Sequence, residues 1–322
     1  MDRRFAYGLI GFGVGGALGW LALKDTSWAS LGRALAELDW RVVPLALGAV
    51  IIAGILRAIR FRLLLRDERV TTSRLFLVAS AGSAVNNLSP VRVLSEATQT
   101  VLLTRGDGVK ASRVVSGFLL SRLFDLLVTV NLVGAGLVVL PQLSGFRPIV
   151  LPLWGLSGAA LLGMVFLGRG VSRLGKVRWL KPLAETLQHV HATQSQRGLL
   201  ALCISLTAIA WLLIGVAAWL VAQAAGIQMP FWLASIVIVA VSMFSGAVPA
   251  PPGVAGVYEF VAVSTLGLFA VDEAAVLSFA VVIHALLFLP HLAIGLPVLA
   301  LERRALRGAP MLRRGAPSAA AR

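Results

Sequence analysis

Charge is what this chain has least of. Only 13% of its 322 residues are Asp, Glu, Lys or Arg, about half the share common in soluble domains. That is too little polar surface to coat a soluble fold, so the soluble globular class is excluded. Acidic residues are scarcest, 14 against 29 basic ones, and the net charge is +15. In a soluble chain such an excess points to nucleic acid. Here the basic residues sit at the ends of apolar runs, which argues for a cytoplasmic membrane face and against a nucleic-acid partner. Cysteine is almost absent. Cys203 stands alone in an apolar run, so neither an internal disulfide nor a cysteine-based metal cluster can form. P-loop, nucleophile–base triad and metal-ligand spacings are all missing, so no cofactor and no metal are expected. What is abundant is apolar sequence, 58% of the chain. The class is therefore a polytopic membrane protein.

Gly11, Gly13 and Gly16 match GxGxxG, but no strand precedes them. The same run, 6–23, has Gly11, Gly15 and Gly19 at four-residue spacing, a small-residue face for close helix packing. It follows Arg3 and Arg4 without a small-residue cleavage site, so a retained span is expected and not a signal peptide. Further spans are expected at 42–65, 114–140, 151–167, 199–224 and 274–301, with an amphipathic interfacial helix within 24–41. Arg57, Arg60, Arg62 and Arg66 close the second span and are read as a fringe reaching headgroup phosphates.

Two stretches echo each other. Pro90 and Pro252, Glu96 and Glu259, and Arg122 and His284 are separated by 162, 163 and 162 positions. Such matched offsets indicate an internal repeat. In each copy the helices around the proline are too short to span: 75–87 and 93–104 in one, with a short second arm, 260–269, after 231–248 in the other. Between the arms lie polar or breaking residues: Asn86, Asn87 and Pro90, then Pro249, Pro252, Gly253 and Gly256. Broken backbone at membrane depth is tolerated only inside protein or beside a watery cavity, so both stretches are read as re-entrant hairpins. With the N-terminus inside, 23 of the 29 Lys and Arg fall on the cytoplasmic side. An odd number of spans separates the hairpins, so the repeats are inverted, a plan shared with many secondary transporters.

Ionisable residues at such depth cost roughly 2.5–3.5 kcal/mol each on insertion scales. Arg122 and Asp125, three apart on one helix, either neutralise each other or face a shared polar cavity. Glu96 and Glu259 either cap the hairpin arms or meet a cationic group or proton. Arg92 and Arg122 suit an anionic headgroup, because guanidinium binds phosphate bidentately. His284 and His291 share one face of the last span, while His189 and His191 fall in a basic loop.

At the two tips the sequence resembles the flippase-like family, the membrane region of lysylphosphatidylglycerol synthases and their stand-alone relatives. The matching residues are Pro90, Arg92 and Glu96; Arg122 and Asp125; and Pro252, Gly253, Gly256 and Glu259. Ser95, Gln99 and His284 depart from the family's usual glycine, arginine, and arginine or tyrosine. The departures bear on substrate identity more than on fold. The resemblance implies movement of lipid between leaflets. It does not imply synthesis, which belongs to a separate soluble aminoacyl-transfer domain.

The expected protein is thus all-α and polytopic, with six full spans and two re-entrant hairpins in an inverted repeat. A single transmembrane domain covers 1–302, as repeats of about 6–140 and 148–301, before a basic disordered cytoplasmic tail at 303–322. The expected function is transport of a phospholipid or lipid-linked headgroup through a midplane polar cavity, not catalysis. Its substrate-binding residues are Arg92, Glu96, Arg122, Asp125, Glu259 and His284. The alternative is a membrane enzyme of lipid or polyprenol-linked glycosyl or aminoacyl transfer, or an accessory subunit of such a pathway. The partners are membrane lipids with an anionic or aminoacylated headgroup, and enzymes of lipid or glycan biosynthesis. The location is the inner membrane, with both termini cytoplasmic.

Overall fold

A computed structural model of the protein describes residues 3–24, 27–89, 94–139, 196–247, 251–267 and 271–303, with 145, 148, 151–152, 154–157 and 269. Among the described residues every regular element is helical. Helix α1 is Arg3–Leu23, α2 Trp28–Glu37, α3 Val43–Leu64, α4 Thr72–Leu88, α5 Leu94–Val101 and α6 Ala111–Val139. Then follow α7 Arg197–Ala224, α8 Phe231–Ala247, α9 Val257–Gly267 and α10 Glu273–Leu301. Four helices are long and apolar enough to cross a membrane: Val43–Leu64, Ala111–Ala135, Gly198–Ala224 and Glu273–Leu301. They match the spans expected at 42–65, 114–140, 199–224 and 274–301. The span expected at 6–23 falls on α1; that at 151–167, the basic loop with His189 and His191, and all but the first residue of the 303–322 tail lie largely or wholly outside the described residues.

Local chemistry sets the helix ends. Ser27, Thr71 and Asp272 each accept a hydrogen bond from the backbone N–H three residues on, at 3.0, 3.2 and 3.0 Å. Pro44 opens α3. At the end of α4, Ser89 turns extended (φ −116°, ψ 141°), as expected of a residue before proline.

Both expected hairpins are helix–break–helix pairs whose arms pack on each other, α4 with α5 and α8 with α9. In the first, a side chain on Gly82 would strike Gln99 and the Ser95 carbonyl oxygen within 2.8 Å. In the second, the break holds a short 3-10 turn, Pro252–Val254, with Gly253 and Gly256 at φ 72° and 81°. The second arms begin near their glutamates. Glu96 and Glu259 lie in the first turns of α5 and α9, so α9 starts earlier than the expected 260.

The largest buried cluster joins α3, α7, α8, α9 and α10. Ala46, Ala53, Ala217 and Ala218 have no exposed surface, and side chains this small let α3 and α7 approach closely. The glycine face of α1 lies on the second tip. A Cβ on Gly15 would sit 2.2 Å from Pro251 Cδ, and one on Gly256 would sit 2.2 Å from the Gly15 carbonyl oxygen. On its other side the 3-10 turn packs on α4, as does α10, where Gly295 abuts the Ser80 carbonyl oxygen. The second tip is thereby held between α1 and α4.

Gly256 has both a positive φ and no room for a side chain. Gly256→Ala is expected to cost about 2–4 kcal/mol, from left-handed strain and overpacking. Thermal unfolding in detergent checks this, with Gly16→Ala, where nothing lies within 4 Å, expected to leave the midpoint unchanged.

Candidate functional site

The charged residues of α3, α5 and α6 converge. Arg60 is 4% exposed and pairs bidentately with Asp125, Nη1 to Oδ1 at 3.0 Å and Nη2 to Oδ2 at 3.2 Å. Its Nη1 also donates to Thr207 Oγ1 at 2.7 Å, and Trp211 Nε1 donates to Asp125 Oδ1 at 3.2 Å. Thr207 and Trp211 are four apart, hence neighbours on one face of α7. One carboxylate thus ties α3, α6 and α7 together.

The reading of Arg60 as part of a headgroup-facing fringe is corrected by this burial. Arg60 stands inside the apolar stretch of α3, before its end at Leu64, and an unpaired cation there would cost several kcal/mol. The alternative in which Arg122 and Asp125 neutralise each other is also set aside. Arg122 donates instead to Glu96 on α5. The i, i+3 spacing puts both on one side of α6, yet their side chains serve different neighbours.

These groups border a cavity of about 250 Å³ between α3, α4, α5, α6 and α10. Its charged lining is Arg57, Arg60, Arg122, Glu96 and Asp125, with Ser80, Ser121 and His291 among the polar remainder. Arg57 lies one turn before Arg60, its guanidinium carbon 5.0 Å from the centre of the Trp211 ring.

A second cluster sits at the other hairpin. Glu259 Oε2 accepts from the Gly256 N–H at 2.7 Å, closing the first turn of α9. Its Oε1 lies 2.7 Å from His284 Nδ1 on α10. The imidazole stacks on Tyr258 at 4.3 Å and meets Phe288 edge-on at 6.0 Å. The residues matched by offset therefore make the same contact in both halves: hairpin glutamate to the basic group of the next long helix.

Of the remaining candidates, Arg92, Pro90 and Pro249 lie outside the described residues. Asn86 and Asn87 end α4, and Asn86 Oδ1 is buried with no partner among the described residues. Pro252, Gly253 and Gly256 shape the second tip. Sequence reasoning passed over Arg57, Thr207, Trp211 and Tyr258 as site residues. The available signal was the pair of arginines three apart, ahead of the end of an apolar run.

The family model described as the lysylphosphatidylglycerol synthase TM region matches residues 8–295, a span that holds both clusters. The chain belongs to that family. No curated protein matches it. Family and helices together make this a multi-pass membrane protein of lipid metabolism or transport.

Removing one partner of a buried pair strands the other charge. Arg60→Met or Asp125→Leu alone is expected to destabilise by about 3–5 kcal/mol, and the double substitution to recover most of that loss. Unfolding by titration with a denaturing detergent reads the difference.

Proposed function

We propose that the protein moves a phospholipid or lipid-linked headgroup between leaflets. The observation that carries this reading is the charged cavity and the exposure of its Arg122–Glu96 edge. Arg122 lies about 17 Å along α6 from Ala111 at 1.5 Å per residue, far from either end of a spanning helix. Its side chain is nonetheless 73% exposed and Glu96 29% exposed. A cation open to hydrocarbon at that depth is costly. One at the mouth of a polar cavity is suited to meet headgroups arriving laterally while acyl chains stay in the bilayer.

In this proposal the helix–break–helix pairs are re-entrant, six spans surround them, and the halves form an inverted repeat with both termini cytoplasmic in the inner membrane. Arg122 and Glu96 receive the headgroup. Asp125 fixes the cavity wall through Arg60, and Glu259 with His284 holds the second tip. Arg92, outside the described residues, is a further phosphate candidate by residue type alone. The pairing of each hairpin glutamate with the following helix supports the repeat. The cavity at the junction of broken and continuous helices supports transport, because such junctions house substrates in transporters built this way.

Arg122→Ala is expected to lower headgroup transfer in proteoliposomes at least about tenfold, the loss of one charge-assisted contact. Glu259→Gln is expected to lower it as well, with both variants expressed at normal levels. Wild-type transfer rates in both variants would end the transport reading.

A further inference from the structure

The cavity has more cation than its carboxylates can answer. Asp125 is taken by Arg60 and Glu96 by Arg122. Arg57 is left over. Among the described residues it has neither an ion pair nor a hydrogen bond, and its Nε is buried without a partner. Its guanidinium lies over the neutral Trp211 ring, and the Asp125 carboxylate that attracts it is already held bidentately by Arg60. A ring steadies a guanidinium through its face and leaves the N–H edge unused.

Other polar groups of the same lining are also unmatched. Ser80 Oγ on α4, Ser121 Oγ on α6 and His291 Nδ1 on α10 are buried with no hydrogen-bond partner among the described residues. Four helices thus bring an arginine, two hydroxyls and an imidazole to one cavity. A buried cation whose nearby carboxylate is already paired is costly, and so is each unmatched polar atom. An oxyanion with several acceptor oxygens relieves the first of these costs and offers acceptors to hydroxyls that turn towards it.

We infer that Arg57, backed by Trp211, is the principal anchor of a phosphate-class oxyanion in this cavity, with Ser80, Ser121 and His291 as its polar surround. The inference rests on the transport reading for its biological setting and names the residue that holds the phosphate inside the cavity. Arg122 keeps its place at the mouth, already engaged by Glu96. Arg57 takes the anion inside.

The test uses the purified full-length chain in non-ionic detergent, titrated calorimetrically with short-chain phosphatidylglycerol, diacylglycerol of the same chains, and inorganic phosphate. Wild-type protein is expected to prefer phosphatidylglycerol to diacylglycerol at least about tenfold. Arg57→Gln is expected to weaken phosphatidylglycerol binding about ten- to hundredfold, the range for a charge-assisted contact. Arg57→Lys keeps charge without the fork and loses less. Arg33→Gln, exposed on α2 and outside this cavity, binds as wild type. Competition by inorganic phosphate identifies the free anion as sufficient; failure to compete while phosphatidylglycerol binds identifies the lipid headgroup as the source. Equal affinity of the wild type for phosphatidylglycerol and diacylglycerol overturns the inference, even where Arg57→Gln fails to fold. So does wild-type phosphatidylglycerol binding by a folded Arg57→Gln. Transfer in proteoliposomes is scored separately. A wild type that transfers lipid while Arg57→Gln binds normally removes this site alone. A wild type that binds through Arg57 but transfers nothing removes the transport reading alone.

Discussion

A carboxylate among apolar helices must be answered by a cation, and Asp125 is answered by Arg60. Both charges lose water on burial, and their mutual attraction repays that only when geometry is good and the remaining valences are filled. Here most are filled, Arg60 Nε being the one buried atom of the pair without a partner among the described residues. Two N–H···O contacts join the pair, Thr207 takes a further arginine donor, and Trp211 supplies a second donor to the carboxylate. Such a pair contributes little net stability over an apolar contact. What it does is fix position, since each bond needs its helix at one height and rotation. The close seat of α3 on α7, prepared by Ala46, Ala53, Ala217 and Ala218, sets the distance at which Arg60 reaches Thr207. The same seat brings Trp211 under Arg57.

The two halves use one connection to different ends. Each hairpin glutamate meets the basic group of the following long helix. In the first half the pair is open, with Arg122 73% exposed. In the second it is closed, both side chains 16% exposed and the imidazole packed between Tyr258 and Phe288. Packing explains the contrast. The second tip carries glycines that let α1 lie directly on its backbone, and Gly253 admits the Phe288 ring. The matched offsets set where the charges fall, and the cover around each hairpin decides which pair meets a cavity.

Helix positions and breaks were legible because they depend on local chemistry. Apolar length marks spans, a proline forces the preceding residue out of the helix, and runs of proline and glycine mark the second tip. The offset between Glu96 and Glu259 was legible too, and with it the equivalence of Arg122 and His284. Pairing was not legible. Spacing says that Arg122 and Asp125 share a side of α6 but not which neighbour stands opposite each. Arg60 misled for a related reason. Charge at the end of an apolar run is normally a solvated fringe, and only the approach of α6 and α7, residues distant in sequence, turns it into a buried group. Thr207 and Trp211 carry no sequence signal until Arg60 is known to face them.

Glu259 shows how one carboxylate serves two neighbours. A broken helix leaves backbone N–H groups without partners, and each one left unmet in a buried place is costly. Oε2 answers the Gly256 N–H while Oε1 faces His284. One side chain thus closes the new helix and fastens it to α10. The tip cannot shift without breaking a cap, the Glu259–His284 contact and the contact of Gly256 with Gly15 together. Glu96 lacks so tight a setting, its cation being open to the surroundings. The first hairpin is therefore the half whose charges stay open. The second is the half that holds the assembly in register.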